Sequence, residues 1–350
     1  MDLIILVFLL GGLFLGWSLG ANDAANVFGT AVGTRMISFQ TAAIVCGIFV
    51  ILGAVISGAG TTATLGKLGS INAMPGAFAV CVAAGLAVYL MTKSGLPVST
   101  TQAIVGAIVG WNIYTGSSTN IQVLITIILT WVLCPVIAGL IAMFFFILTK
   151  KLLQKSSLHL LRLDAYTRTA LLLAGAFGAY SLGANNIANV MGVFVPISPF
   201  TEINFMNILT LSSTGQLFLL GGIAIAVGVI TYSKRVMLTV GNDLLKLSPV
   251  AAFIVVFSHS IVLFLFASQG ISNFLHSINL PSIPLVPVSS SQAIVGAVIG
   301  IGLLKGGKEV KWDIASKIAV GWIVLPIIAA LISFVILFVL QNIFNQTVYF

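Results

Sequence analysis

Two short polar motifs each occur twice in this chain, in the same order. Gly20-Ala-Asn-Asp-Ala-Ala-Asn-Val-Phe-Gly29 returns as Gly183-Ala-Asn-Asn-Ile-Ala-Asn-Val-Met-Gly192. Pro97-Val-Ser-Thr-Thr-Gln-Ala-Ile-Val-Gly106 returns as Pro287-Val-Ser-Ser-Ser-Gln-Ala-Ile-Val-Gly296. The arrangement requires two related units, each bringing one copy of each motif to a shared structure. Polar, Gly-rich patches at matching places in long apolar segments point to the binding site of a secondary transporter.

The segments around the motifs are those of a membrane protein. Hydrophobic residues make up 59% of the chain and charged residues 6%, against about 25% charged in a soluble domain. The formal net charge of +8 comes from basic residues in the gaps between apolar runs, so they read as topology determinants rather than a nucleic-acid surface. Cys46, Cys81 and Cys134 lie within apolar runs without metal or redox spacing and read as packing residues. Met1 to Gly20 has no basic leader and runs directly into a motif, which predicts a retained first span.

Apolar segments fall at about 3–33, 38–58, 75–92, 97–115 and 121–149, then at about 169–195, 203–231, 249–268, 287–304 and 316–341. The fold class predicted is an all-α polytopic membrane protein of two inverted-topology repeats, with broken helices at 3–33 and 169–195. A crossing helix needs about 20 residues, so the short pairs 75–92/97–115 and 249–268/287–304 are each two crossings or one re-entrant hairpin. Either choice gives an odd number of crossings per half and inverts the second half. Arg35, Lys150, Lys151, Lys155, Arg162, Arg168, Lys234, Arg235, Lys246, Lys305, Lys308, Lys311 and Lys317 then share one face, the cytoplasmic one, leaving both termini outside. Lys67 falls outside, and Lys93 inside only if the short segments cross. Residues 1–149 and 169–350 form the two membrane repeats, joined by a basic cytoplasmic connector at 150–168. Trp131-Val-Leu-Cys-Pro135 also returns, as Trp322-Ile-Val-Leu-Pro326, each proline reading as a tolerated kink.

In the first motif, Gly20, Asn22, Asp23, Asn26 and Gly29 are expected to break the helix near bilayer depth. Freed carbonyls, a carboxylate and Asn side-chain oxygens suit a hard cation such as sodium, and a fresh helix start offers N–H groups to an anion. Asp2, Asp164, Glu202, Asp243, Glu309 and Asp313 lie in loops or at span ends, whereas Asp23 lies inside an apolar span. A carboxylate there costs roughly 2.5–3.5 kcal/mol on insertion scales and is a functional candidate by default. The second copy carries Asn186 in its place, so the two halves share a scaffold but not a charge.

The second motif sets three hydroxyls at a helix entry: Ser99, Thr100 and Thr101, and Ser289, Ser290 and Ser291, each run followed by Gln102 or Gln292. Pro suits the entry, Ser and Thr cap the first turn, and the hydroxyls sit at the positive end of the helix dipole. Two such ends facing each other could surround a tetrahedral anion without any basic residue. Enzyme chemistry finds little here, since aspartyl catalysis needs two carboxylates in one site. His159 falls in the connector, His276 in a long turn, and His259, alone in an apolar span, reads as a hydrogen-bonded packing residue. A passive anion channel would use similar lining groups and is told apart by accumulation against a gradient.

Gly20-Ala-Asn-Asp-Ala-Ala-Asn26 followed by Gly95-Leu-Pro-Val-Ser-Thr-Thr101, with a weaker second copy of each, resembles the inorganic phosphate transporter (PiT) family over essentially the whole chain. Lys246-Leu-Ser-Pro249 resembles the stretch before that family's second hairpin. The resemblance implies a homodimer in the plasma (inner) membrane that takes up inorganic phosphate by symport with a coupling ion, sodium or a proton, and needs no other cofactor. It maps the coupling-cation role onto Asn22, Asp23 and Asn26 and onto Asn185, Asn186 and Asn189. The anion-binding role maps onto Ser99, Thr100 and Thr101 and onto Ser289, Ser290 and Ser291, with Gln102 and Gln292 alongside. Three departures stand out: Asn186 where the family usually has Asp, Gln102 and Gln292 where it usually has His, and an enlarged turn at 271–286 that favours two crossings in that half. A sulfate permease on the same scaffold is the alternative. Sulfate donates no hydrogen bond, whereas hydrogen phosphate can donate one to a carboxylate.

Overall fold

The computed structural model describes residues 3–93, 97–156, 159–205, 209–242 and 247–350; Asp2, Gly95, Asp243 and Lys246 lie outside them. The first half contains α1 (Leu3–Gly33), α2 (Phe39–Ser57), α3 (Ala59–Gly66), α4 (Met74–Thr92), α5 (Thr100–Thr115) and α6 (Ile121–Lys155). The second contains α7 (Leu160–Met191), a 3-10 turn (Gly192–Ile197), β1 (Ile203–Phe205), β2 (Leu209–Leu211), α8 (Ser213–Tyr232), α9 (Lys234–Asn242), α10 (Pro249–Ala267), α11 (Gln269–Ser277), α12 (Ser290–Leu304) and α13 (Trp312–Asn342). Local chemistry sets many helix starts. Ser38, Asn120, Ser212 and Ser248 each accept a backbone N–H from the first turn, and Pro75 and Pro249 stand at helix entries.

Among the described residues, seven helices are long and apolar enough to cross a bilayer: α1, α2, α4, α6, α8, α10 and α13. Helix α7 has the length, but its inner face of Gly, Ala and Asn dilutes its hydropathy. The most hydrophobic helices, α6 and α13, are only 22% buried over their most apolar stretch, so they present their side chains to lipid. The expected span at 203–231 begins late. Residues 203–205 and 209–211 pair as short antiparallel strands, Ile203 opposite Leu211, and the helix starts only where Ser212 caps it. The connector at 150–168 is nearly all helix, because α6 runs on to Lys155 and α7 begins at Leu160.

The helices carrying the first motif are not broken. Helix α1 is continuous through Gly20–Gly29, and α7 passes through its copy before tightening to 3-10 at Gly192. The glycines serve packing instead of unwinding. A Cβ at Gly20 would overlap the Ile225 carbonyl of α8, and one at Gly228 of α8 would overlap the Trp17 carbonyl of α1. The same reciprocal contact joins α7 to α2, where Gly183 meets Val50 and Gly53 meets Tyr180. Such backbone-to-backbone approach is the usual use of small residues between membrane helices. Pro135 and Pro326 also find packing roles, for their carbonyls abut Gly296 of α12 and Gly106 of α5.

The first short pair folds back on itself as a helical hairpin. Helix α4 follows α1 in the same direction: Phe78 meets Gly11, Gly85 meets Phe14 and Leu15, Tyr89 meets Trp17, and Thr92 meets Asn22. Helix α5 then returns, bringing Trp111 to Gly76 and the Asn112 amide to the Leu68 carbonyl. The pair turns beside Asn22, and α1 continues eleven residues further to Gly33, about 16 Å. Lys93, at this turn, lies over the Tyr89 ring. In the second pair, Leu303 at the end of α12 and Val250 at the start of α10 both lie along the C-terminal half of α6. Helix α12 starts at the level of Cys134, whose thiol faces the Ser289 carbonyl, so α12, like α5, begins inside the protein. The intervening turn is longer and carries α11, which the sequence patterns did not predict.

Candidate functional site

Helix periodicity sets the geometry of the first motif. Positions i, i+1 and i+4 share one face, so α1 presents Asn22, Asp23 and Asn26 together, and α7 presents Asn185, Asn186 and Asn189. All six are buried at 0–1% exposure, and among the described residues Asp23 is the only buried carboxylate. The second motif contributes the N-termini of α5 and α12, where Ser99 and Ser289 cap by accepting the N–H groups of Gln102 and Gln292. The residues Pro97–Ser99 and Pro287–Ser289 before those helices are extended, so the unwound backbone expected in α1 and α7 lies at these hairpin entries instead.

The leading asparagine of each first motif holds a hairpin in place. Asn22 Oδ1 accepts the Val98 N–H at 3.2 Å, and its amide donates to Thr92 Oγ1 at 3.0 Å. Asn185 Oδ1 likewise accepts the Val288 N–H at 2.8 Å, and its amide donates to the Val286 carbonyl at 3.2 Å. Side chains thus satisfy backbone groups that a helix or sheet would otherwise pair.

The two halves meet through Thr101. Its hydroxyl accepts from the Asn189 amide at 2.9 Å and lies 3.1 Å from the Val288 carbonyl and 3.3 Å from Asn186 Oδ1. Asn189 also donates to Asn186 Oδ1 at 2.9 Å. A hydroxyl of the first half is therefore bonded to the motif helix and hairpin entry of the second, and α12 in turn packs on α1. Within α1 the Asn26 amide donates to Asp23 Oδ1 at 3.3 Å, and Thr100 faces the carboxylate without completing a bond of standard geometry. Ser289 and Ser291 share a hydrogen bond at 3.1 Å.

Several buried groups at this meeting point have no protein partner: Thr100 Oγ1, Asn26 Oδ1, Asn189 Oδ1, Asn186 Nδ2, Gln102 Oε1 and Gln292 Oε1. Orphaned polar atoms inside a membrane protein are costly, which makes their clustering here a candidate ligand site. The orphan acceptors, with Asp23, are hard oxygen donors that fit an alkali cation, while Asn186 Nδ2, the Thr100 hydroxyl and the helix N-termini fit an oxyanion. No group of three or more His, Cys, Asp or Glu residues able to hold a metal occurs among the described residues, so a cation here relies on amide and hydroxyl oxygens beside one carboxylate. The Gln102 and Gln292 side chains are buried at the same helix starts.

One contact joins the site to a residue read from sequence as packing. His259 of α10 is fully buried, and its Nε2 lies 2.9 Å from Ser290 Oγ. It is hydrogen-bonded as expected, but to a hydroxyl of the second duplicated motif. The only sequence signal was that it is the single imidazole in an apolar span; nothing linked it to a serine 31 positions later.

Known proteins share this architecture over their whole length. A solved structure titled "The sodium-dependent phosphate transporter" superposes with a TM-score of 0.78 at 24% identity, covering 98% of this chain and 100% of that one. A protein of Methanocaldococcus jannaschii, provisionally named a phosphate permease, is 30% identical over 92% of this chain and 93% of its own. Similarly named proteins of Thermococcus kodakarensis and Haemophilus influenzae are 28% and 26% identical, each over 95% of this chain and at least 96% of their own. A sequence model described as the phosphate transporter family matches residues 19–273 and 280–349. The protein is thus an integral membrane transporter, not an enzyme, and it belongs to the phosphate transporter family.

Proposed function

We propose that the protein imports inorganic phosphate across the plasma (inner) membrane in symport with a cation, by alternating access between its two halves. The observation carrying this reading is the buried meeting of the α5 and α12 N-termini with α1 and α7, where orphan donors and orphan acceptors lie side by side. The donors suit the oxygens of a tetrahedral anion, and the acceptors beside Asp23 suit a cation. Sodium is the favoured coupling ion. The donor set is all oxygen, and the solved protein of the same fold is titled sodium-dependent. Asn22 and Asn185 hold the hairpins against the motif helices, which leaves Asp23, Asn26, Asn186 and Asn189 nearest to ion binding. The halves pack through equivalent pairs, Gly20–Gly228 against Gly183–Gly53 and Gly106–Pro326 against Gly296–Pro135, as two inverted copies would. Assembly as a homodimer is part of the same reading.

Phosphate is preferred over sulfate because the site offers acceptors as well as donors. Asp23, Gln102 Oε1 and Gln292 Oε1 can each take a hydrogen bond from a P–OH group, which sulfate lacks. The test is uptake of labelled phosphate into proteoliposomes under an inward sodium gradient, an inward proton gradient or neither, with excess unlabelled sulfate as competitor. Sodium-driven accumulation resistant to sulfate is expected. Equilibration without accumulation, or displacement by equimolar sulfate, refutes the reading.

A further inference from the structure

We propose that His259 is a positioning residue of the anion site, donating from Nε2 to Ser290 so that the Ser290 hydroxyl proton points at the bound oxyanion. The proposal rests on the phosphate reading above and adds a residue outside both duplicated motifs.

The argument starts from the number of protons. Ser290 has one hydroxyl proton, and a neutral imidazole has one N–H and one bare nitrogen. If Ser290 gave its proton to Nε2, the N–H would sit on Nδ1, and Nδ1 is buried with no partner. An orphaned buried N–H is rarer in native structures than an under-used acceptor. With the N–H on Nε2, the 2.9 Å bond is kept, Nδ1 is left as a bare acceptor, and the Ser290 proton is released. A hydroxyl that accepts from an N–H is also a stronger donor through cooperative polarisation. The α12 N-terminus then offers an oriented O–H beside its free backbone N–H groups.

Among the described residues, the first half has no equivalent of this contact. Helix α4, which lies beside α1 as α10 lies beside α7, carries no histidine. Thr100 there faces the Asp23 carboxylate, which when ionised only accepts. Thr100 Oγ1 completes no hydrogen bond there, so its proton is not oriented as His259 orients that of Ser290. The two near-identical Ser/Thr clusters therefore differ, and the Ser290 hydroxyl is the one set to hold a P–O⁻.

The test compares His259→Ala, His259→Gln and Ser290→Ala, alone and with His259→Ala added to Ser290→Ala. Each is measured by phosphate titration calorimetry on purified protein and by the KM and kcat of proteoliposome uptake. His259→Ala is expected to weaken phosphate binding and raise KM by about tenfold or more, the loss expected for one hydrogen bond to a charged group, with kcat little changed. His259→Gln, whose amide can donate to Ser290, recovers most of the affinity, and His259→Ala adds little once Ser290 is Ala. Equal defects in the Ala and Gln variants, or an undiminished His259→Ala effect in the Ser290→Ala background, overturns the proposal and leaves the transport reading standing. Failure of the wild-type protein to bind phosphate at all removes the transport reading itself.

Discussion

Gly20→Ala is a one-methyl change whose consequence follows from backbone geometry. The new Cβ would overlap the Ile225 carbonyl of α8, while Gly228 of α8 closes the same contact from the other side. Carbon and oxygen settle at roughly 3.3–3.6 Å, so α1 and α8 must separate by at least about 1 Å. Asn22 lies two residues along α1, and its bonds to Thr92 and Val98 are 3.0 and 3.2 Å long. Asn22 points to another face of α1 than Gly20, so a displacement of about 1 Å changes both lengths and disturbs the geometry that seats the first hairpin on the motif helix. Overpacking of this kind costs about 1–3 kcal/mol, and a misplacement of about 1 Å at a functional constellation can lower rates by roughly 10²-fold. The measurement is the initial rate of phosphate uptake in proteoliposomes, paired with thermal melting of each purified variant. Gly66→Ala is the control, because no atom lies within 4 Å of a Cβ at Gly66. Gly228→Ala should match Gly20→Ala, and Gly66→Ala should match wild type. Wild-type uptake and melting in Gly20→Ala would refute the close contact and with it the packing role assigned to the motif glycines.

Two further outcomes follow from the site. Asp23→Asn should abolish cation-driven accumulation while leaving the fold intact. Asn186→Asp should sharpen the cation dependence by supplying a second carboxylate, seen as a lower half-saturating cation concentration or a higher Hill coefficient; an unchanged cation response in both argues against a coupling role for these positions. Thr101→Val keeps side-chain shape but removes the hydroxyl that bonds α5 to Asn189 and the Val288 carbonyl. It should destabilise the protein by about 1–3 kcal/mol, read as a lowered melting temperature, and an unchanged melt would mean that this contact does not hold the halves together.

Much of the architecture was legible before any coordinates. Apolar run length located the main helices, and duplication marked the candidate site, because a polar residue in a lipid-spanning helix survives only with a use. Ser99 and Ser289 cap their helices as their position after Pro-Val suggested. The reading failed where one residue type serves two purposes. Gly20 and Gly183 look like helix breakers in a linear pattern, yet α1 and α7 are continuous, since a glycine that meets a neighbouring carbonyl keeps its helix and removes the Cβ in the way. The paired strands at 203–205 and 209–211 were hidden for a similar reason, because Ile203, Phe205, Leu209 and Leu211 extend an apolar run that periodicity assigns to the next helix.

By itself, then, the sequence determined that the chain spans a membrane, that two polar motifs occur twice, that Asp23 is the one carboxylate inside an apolar run, and that Asn186 breaks the symmetry. Those are properties of composition and spacing, which the bilayer tests residue by residue. Only the tertiary structure decided which duplicated side chains act as scaffold and which remain open to a ligand. Asn22 and Asn185 serve hairpin backbone, Thr101 bridges the halves, and His259 joins the site from a helix outside either motif. Hydrogen bonds between residues as far as 187 positions apart, as from Thr101 to the Val288 carbonyl, leave no trace in a linear pattern, because their partners meet only when the helices pack.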